Sequence, residues 1–155
     1  MPLLPATPDD AEEILVLQRL AYRSEAEIYD DHTLPPLTQT LEEMRADFET
    51  QVILKAVADG EIVGSVRACL RDGTCHIGRL IVHPDHQGRG LGKRMMAAIE
   101  EHFQEAERFE LFTGHRSERN LHLYRGLGYR VFAERPVSEK VTLVFMEKRA
   151  QSPAT

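Results

Sequence analysis

The residues whose types and spacing point most directly to chemistry are Gln87-Gly88-Arg89-Gly90-Leu91-Gly92. Glycines adopt backbone shapes that other residues avoid, and they leave N–H groups bare to a ligand. An apolar run, Leu80-Ile81-Val82, and a turn, His83-Pro84-Asp85-His86, lead into the segment. A helix-forming stretch from Lys93 to about Ala106 leaves it. Strand, glycine-rich turn and helix start together make an anion cradle. The first helical turn adds N–H donors without partners and the positive end of a dipole. The guest that suits such a cradle is a pyrophosphate. Register excludes two familiar versions. The dinucleotide fingerprint G-x-G-x-x-G needs glycine where Lys93 or Met95 stands, and the P-loop pattern fails at Gln87 and Arg94.

A second constellation is Asn120 to Tyr129, with Tyr124 at its centre. It follows a strand-like run, Phe109 to Phe112, and a polar loop, Thr113 to Arg119. A tyrosine phenol can give a proton to a leaving group. Asn120 suits a helix N-cap and Gly128 a left-handed helix stop.

Together these motifs resemble the GNAT family of N-acetyltransferases. The family pattern [RQ]-x-x-G-x-[GA], which holds the pyrophosphate of acetyl-coenzyme A, is matched by Gln87, Gly90 and Gly92, with Gly88 and Arg89 between them. Leu80-x-Val82-x-Pro84 is similar to the family's fourth strand, and Asn120, Tyr124, Gly128 and Tyr129 to its closing motif N-x-x-(L)-Y-x-x-x-G-[YF]. The resemblance covers nearly the whole chain. It implies a mixed α+β fold with a mostly antiparallel, twisted sheet of about seven strands, splayed between the fourth and fifth, and about four helices. It implies acetyl-CoA as acyl donor and a primary amine as acceptor, joined by direct attack in a ternary complex. Cofactor contacts would come from Leu80, Ile81, Val82, Gln87, Gly88, Arg89, Gly90, Leu91, Gly92, Lys93, Asn120 and Tyr124. A backbone N–H near Ile81 or Val82 would polarise the thioester carbonyl. Tyr124 would protonate the departing thiolate, while Glu110 and Glu25 are the leading carboxylates for the ammonium proton. His76, Arg79 and His115 lie on segments that the family arranges around the acceptor cleft, and Tyr22, Glu25, Tyr29 and Pro35-Pro36 are its candidate walls. The acceptor would be a small-molecule or peptide amine. A catalytically silent acyl-CoA sensor on the same fold is the alternative, and Tyr124 speaks against it.

These side chains need a scaffold, and the remaining sequence supplies one. The chain has 155 residues, enough for one hydrophobic core. A single domain is expected over 1–149, with a frayed tail over 150–155. The net charge of −6 argues against a nucleic-acid partner. No leader-like segment or membrane-length apolar run is visible, so no membrane association and a cytoplasmic location are expected. An exposed terminal strand permits a homodimer.

Leu3 to Ala6 reads as a strand, and Thr7-Pro8-Asp9-Asp10 opens a helix that reaches towards Ile28. Asp30 to Thr38 reads as a loop, and Thr40 with Glu43 forms a capping box for a helix to about Phe48. Strands follow over Gln51–Ala58, Glu61–Leu70 and Thr74–Val82, joined by turns at Asp59-Gly60 and Asp72-Gly73. After the cradle, Leu91, Met95, Ile99 and Phe103 recur every four residues, with Met96 beside them, as one apolar helix face. Tyr129–Ala133 and Lys140–Glu147 read as the closing strands. A two-residue turn at Asp72-Gly73 sets Cys69 opposite His76 and Leu70 opposite Cys75, so the two sulfurs point to opposite faces and stay free thiols. His83 and His86 form an H-x-x-H pair without a third ligand, which reads as a surface turn, and no metal is expected.

Overall fold

A computed structural model describes residues 1–150. Its centre is one seven-stranded sheet in the order β1-β2-β3-β4-β5-β7-β6. The strands are β1 (Leu3–Pro5), β2 (Val52–Ala58), β3 (Glu61–Arg71), β4 (Thr74–Val82), β5 (Arg108–Gly114), β6 (Arg130–Pro136) and β7 (Thr142–Arg149). All neighbours are antiparallel except β4 and β5. The terminal strands do not simply append in order. β7 enters between β5 and β6.

The helices are α1 (Ala11–Ala21), α2 (Arg23–Tyr29), α3 (Pro35–Thr38), α4 (Leu41–Asp47), α5 (Leu91–His102) and α6 (Glu118–Gly126). The expected first helix breaks at Tyr22, and its continuation, α2, ends at Asp30 in a left-handed conformation with φ 48°. Tertiary packing explains the break: it lets Ala26 and Tyr29 become buried. The segment expected as loop holds the one-turn helix α3, started by Pro35, whose fixed φ and missing N–H suit a first position. At α4 the capping box is present in both halves: Glu43 N–H donates to Thr40 Oγ1 at 3.1 Å, and Thr40 N–H to Glu43 Oε1 at 2.9 Å.

Each sheet face has its own core. On one face α5 buries Leu91, Met95, Met96 and Ile99 against β2, β3 and β4, and α6 continues this core with Leu121 and Tyr124. Each fully buried side chain of this size stabilises the fold by about 1.5–3 kcal/mol. On the other face α1 and α4 bury Ile14, Leu15, Leu17 and Met44 with Ile53, Ile62 and Ile81. Cys69 stands opposite His76 and Leu70 opposite Cys75, as the turn chemistry requires. Both cysteines are free, and Cys75 is fully buried. Ala150 N–H donates to Glu107 O at 3.0 Å, and the rest of the expected tail lies outside the described residues.

The feature that positions the site is the seam between β4 and β5. Only three pairs hold it: Thr74 with Arg108, Cys75 with Phe109 and His76 with Glu110. Beyond them the strands part. β4 also carries a bulge: Ser65 pairs with Ile81 but Arg67 with Gly78. Within the bulge Arg79 takes φ +50°. Non-glycine residues rarely adopt this conformation.

Candidate active site

Where β4 and β5 separate, a cavity of about 500 Å³ opens. Ile77 to Leu80 form one wall and Leu111 to Gly114 the opposite one. α2 contributes Glu25 and Tyr29, the α2–α3 region Leu34, Pro35 and Pro36, and α6 Asn120 and Tyr124. The β6–β7 connection closes one side with Val137, Ser138 and Val141. Residues far apart in the chain thus meet here, and of the sequence-derived candidates Tyr22, Glu25, Tyr29, Pro35, Pro36, Arg79, Leu80, Asn120 and Tyr124 are among them.

The cradle lies past the end of β4. Gly88 and Gly90 have φ +77° and +79°, and Gly90 is the residue at which α5 starts. A methyl group at either position would meet nothing within 4 Å, so backbone shape rather than space demands glycine there. No side chain caps α5, so its first N–H groups are left for a ligand. Gln87 Nε2 donates to Val82 O at 3.4 Å, and Arg119 donates to Gln87 Oε1, tying the cradle to α6. Lys93 faces a small groove with His122, Leu123, Gly126 and Leu127 instead of the cavity.

Tyr124 is 6% exposed and lines the cavity, and its hydroxyl has no hydrogen-bond partner among the described residues. Burial, then the neighbouring Tyr22 and Glu25, push its proton affinity well above that of a free phenol. It therefore stays protonated, as a proton donor must. Tyr22 is also raised by burial, against the pull of the Arg79 charge.

Glu25 is held by a directed chain. Arg116 N–H donates to Tyr29 Oη at 2.9 Å. Ser117 Oγ lies 2.7 Å from Tyr29 Oη and donates to Glu25 Oε2 at 2.6 Å. A hydroxyl has one proton. With Ser117 donating to the carboxylate, Tyr29 must donate to Ser117. The close approach depends on Gly114, where a methyl group would sit 2.0 Å from Tyr29 Oη. Ser117 is the residue that starts α6, yet its hydroxyl does not cap the helix. The expected cap, Asn120, is one turn too late for that role. Its Nδ2 donates to Thr113 Oγ1 at 3.3 Å, and it lines the cavity.

Other candidates fall elsewhere. Glu110 is on the still-paired part of β5, where Arg108 donates to it at 2.8 Å and His76 lies 3.6 Å away. It does not line the cavity. Ile81 is buried under α1 and α4, and of the β4 trio only Leu80 faces the gap. His115 Nδ1 contacts the Thr142 backbone at the surface. His83 Nδ1 accepts from Asp85 N–H at 3.1 Å, which makes it the cap of a 3-10 turn. Among the described residues no group of three metal-ligating side chains occurs, and no helix is long and apolar enough to cross a membrane. Ser117 and Gly114 were not visible as site residues in the sequence. A glycine in the polar loop that follows a strand-like run was the only signal for Gly114.

The molecule can be placed among known proteins on this geometry. The family model for the GNAT acetyltransferases matches residues 12–129. UPF0157 protein YqkA of Bacillus subtilis is 28% identical over 119 residues, 77% of this chain and 34% of that protein. The L-amino acid N-acyltransferase MnaT of Escherichia coli is 35% identical over 57 residues, 36% of this chain and 33% of that protein. The matches to these curated relatives thus span about a third of the relatives' length. The yncA structure from Salmonella typhimurium, solved with its cofactor acetyl-CoA, superposes with a TM-score of 0.77 at 18% identity, over 100% of this chain and 96% of that one.

Proposed function

The chain belongs to the GNAT acetyltransferase family, and we propose that it moves an acetyl group from acetyl-CoA to a primary amine by direct attack. One observation carries the reading: Tyr124, a largely buried tyrosine whose hydroxyl has no partner among the described residues, lines a cavity at the parting of β4 and β5, and an uncapped glycine cradle lies past the end of β4.

The site fits the acyl donor. The N–H groups of Gly88 to Gly92 and the start of α5 receive a pyrophosphate. Between cradle and cavity, the β5-facing edge of β4 has no strand partner beyond His76 and offers backbone groups to the amides of the pantetheine arm. Acetyl-CoA supplies the activated acyl group. The amine nitrogen forms the new bond to the acetyl carbon as the carbon–sulfur bond breaks. Tyr124 gives its proton to the departing sulfur. Glu25, fixed through one oxygen by Ser117, attracts the ammonium and takes its proton through the other. Holding both reactants in one cavity supplies much of the acceleration. Because Glu110 is engaged by Arg108 outside the cavity, Glu25 is the preferred carboxylate.

Two measurements test this. Calorimetry should show saturable binding of acetyl-CoA and none of ATP, with Gly90→Glu losing the binding. Thiol release with an amine panel should show Tyr124→Phe lowering kcat about 10²-fold or more, with the KM for acetyl-CoA little changed. Wild-type turnover in Tyr124→Phe would remove Tyr124 from the mechanism, and absence of acetyl-CoA binding would remove the function.

A further inference from the structure

The acceptor side of the cavity holds an unbalanced charge. Arg67 is 4% exposed and forms an ion pair with Asp47, while its other arm donates to Gln18 Oε1 at 3.0 Å. Asp47 also accepts from Gln39 Nε2 at 2.7 Å. Gln39 Oε1 in turn accepts from Gln18 Nε2 and from Arg79 Nη1, each at 3.0 Å. This network contains two guanidinium groups and one carboxylate. The carboxylate belongs to Arg67. Arg79 has a neutral amide as its only side-chain partner among the described residues, and no carboxylate within 4.0 Å. A guanidinium carries five N–H donors, so most of those of Arg79 remain for a ligand.

Arg79 is also held deliberately in place. Its φ of +50° is a strained conformation, the kind that persists where the surrounding structure imposes it and that clusters at ligand sites. The bulge and Gln39 fix the side chain on the α1–α4 face of the sheet, where it lines the cavity. The cradle is carried by α5, which packs on the opposite face. Arg79 is therefore badly placed to serve the pyrophosphate. Glu25, held by Ser117, lines the same cavity. Leu34, Pro35, Pro36, Phe112, Val137 and Leu143 supply apolar wall between and around them.

We infer that the acceptor is a zwitterion, a small amine bearing a carboxylate and an apolar substituent, whose carboxylate docks on Arg79 while its ammonium faces Glu25. An α-amino acid with an apolar side chain is the simplest member of this class. A planar guanidinium fork matches a carboxylate bidentately, which fixes orientation as well as affinity. A polyamine would bring a second cation towards Arg79 and is disfavoured. This inference rests on the acetyltransferase reading above and deepens it to a substrate class.

The test is thiol release from acetyl-CoA with leucine, methionine and phenylalanine, set against their amides, their decarboxylated amines and spermidine. The expected result is transfer to the amino acids, with kcat/KM for the carboxylate-free amines lower by about 100-fold. Arg79→Gln should raise the amino-acid KM about tenfold or more and erase the preference over the amides, while Arg79→Lys restores part of it. Acetyl-CoA titration of each variant reports whether the fold is intact. If Arg79→Gln does not fold, the wild-type acid-to-amide ratio with the Arg79→Lys data decides the matter. Equal use of amines with and without the carboxylate overturns the zwitterion inference alone. So does a preference that survives Arg79→Gln. No transfer to any amine in the panel overturns the inference and the acetyltransferase reading together.

Discussion

Replacing Gly114 by alanine should strike the fold and the candidate site at once. The added methyl group would lie 2.0 Å from Tyr29 Oη and 2.5 Å from Cζ, whereas ordinary contact begins near 3.4 Å. One partner must move by about 1.4 Å, the difference between 3.4 and 2.0. Tyr29 is 3% exposed, so it has little room to yield. A shift of that size breaks both hydrogen bonds at its hydroxyl, those to Arg116 N–H and Ser117 Oγ. Each is worth about 1 kcal/mol. Overpacking adds about 1–3 kcal/mol. The expected loss is about 3–5 kcal/mol, a large part of the 5–15 kcal/mol that typically separates folded from unfolded chains. Urea unfolding followed by circular dichroism measures it, with an unchanged slope as the sign that only stability moved. Tyr29→Leu removes the colliding atoms, so Gly114→Ala should cost under about 1 kcal/mol on that background, giving a coupling of at least about 2 kcal/mol. A loss below about 1 kcal/mol in the otherwise wild-type protein would refute the steric argument.

Other perturbations have equally definite outcomes. Ile99→Ala, at a side chain with no exposed surface, should cost about 2–5 kcal/mol in the same unfolding assay. Cys75 is fully buried, and burial, reinforced by the adjacent Cys69, pushes its thiol up to about 12. A thiol reagent should therefore label Cys69 alone in the native protein and both cysteines in denaturant, and two fast-reacting native thiols would contradict this. Asp10 is titrated below its ordinary 3.8: burial works against this, but Thr7 N–H and Lys55 outweigh it. A carboxyl lowered on folding stabilises above its unfolded value and loses that contribution as pH falls through the folded one. The stability gap between wild type and Asp10→Asn should thus be present at pH 7 and close only beneath pH 3.8.

The features legible in the sequence are those set by a few adjacent residues. The capping box at Thr40 and Glu43, the turns at Asp59-Gly60 and Asp72-Gly73, the cysteine register and the cradle all follow from local backbone chemistry. The buried face of α5 followed from its periodicity. What escaped depends on partners distant in the chain. Tyr22 interrupts the first helix so that Tyr29 can reach Ser117, 88 residues away. Ser117 reads as part of a polar loop, and only the fold makes it the start of α6 and turns its hydroxyl to Glu25, 92 residues away. The left-handed Arg79 has no sequence signature, since arginine is not a residue that announces a bulge. The insertion of β7 between β5 and β6 is likewise a choice among pairings that short-range patterns do not rank.

The three-pair seam has a consequence for how the molecule holds together in time. On one side of it lie β1 to β4, of which β2, β3 and β4 are joined by hairpins, covered by α1, α4 and α5. On the other lie β5, β7 and β6. Cooperative opening units tend to follow such contiguous motifs. The two half-sheets share the core under α5, and across the seam they are tied by the Tyr29–Ser117–Glu25 chain, by Tyr129 and Lys148 on Glu100, and by Arg119 on Gln87. An extended guest carrying amide groups, laid between the parted strands, would act as a missing eighth strand over the unpaired stretch. Such a guest would add backbone bonds to both half-sheets and draw them more firmly into one cooperative body.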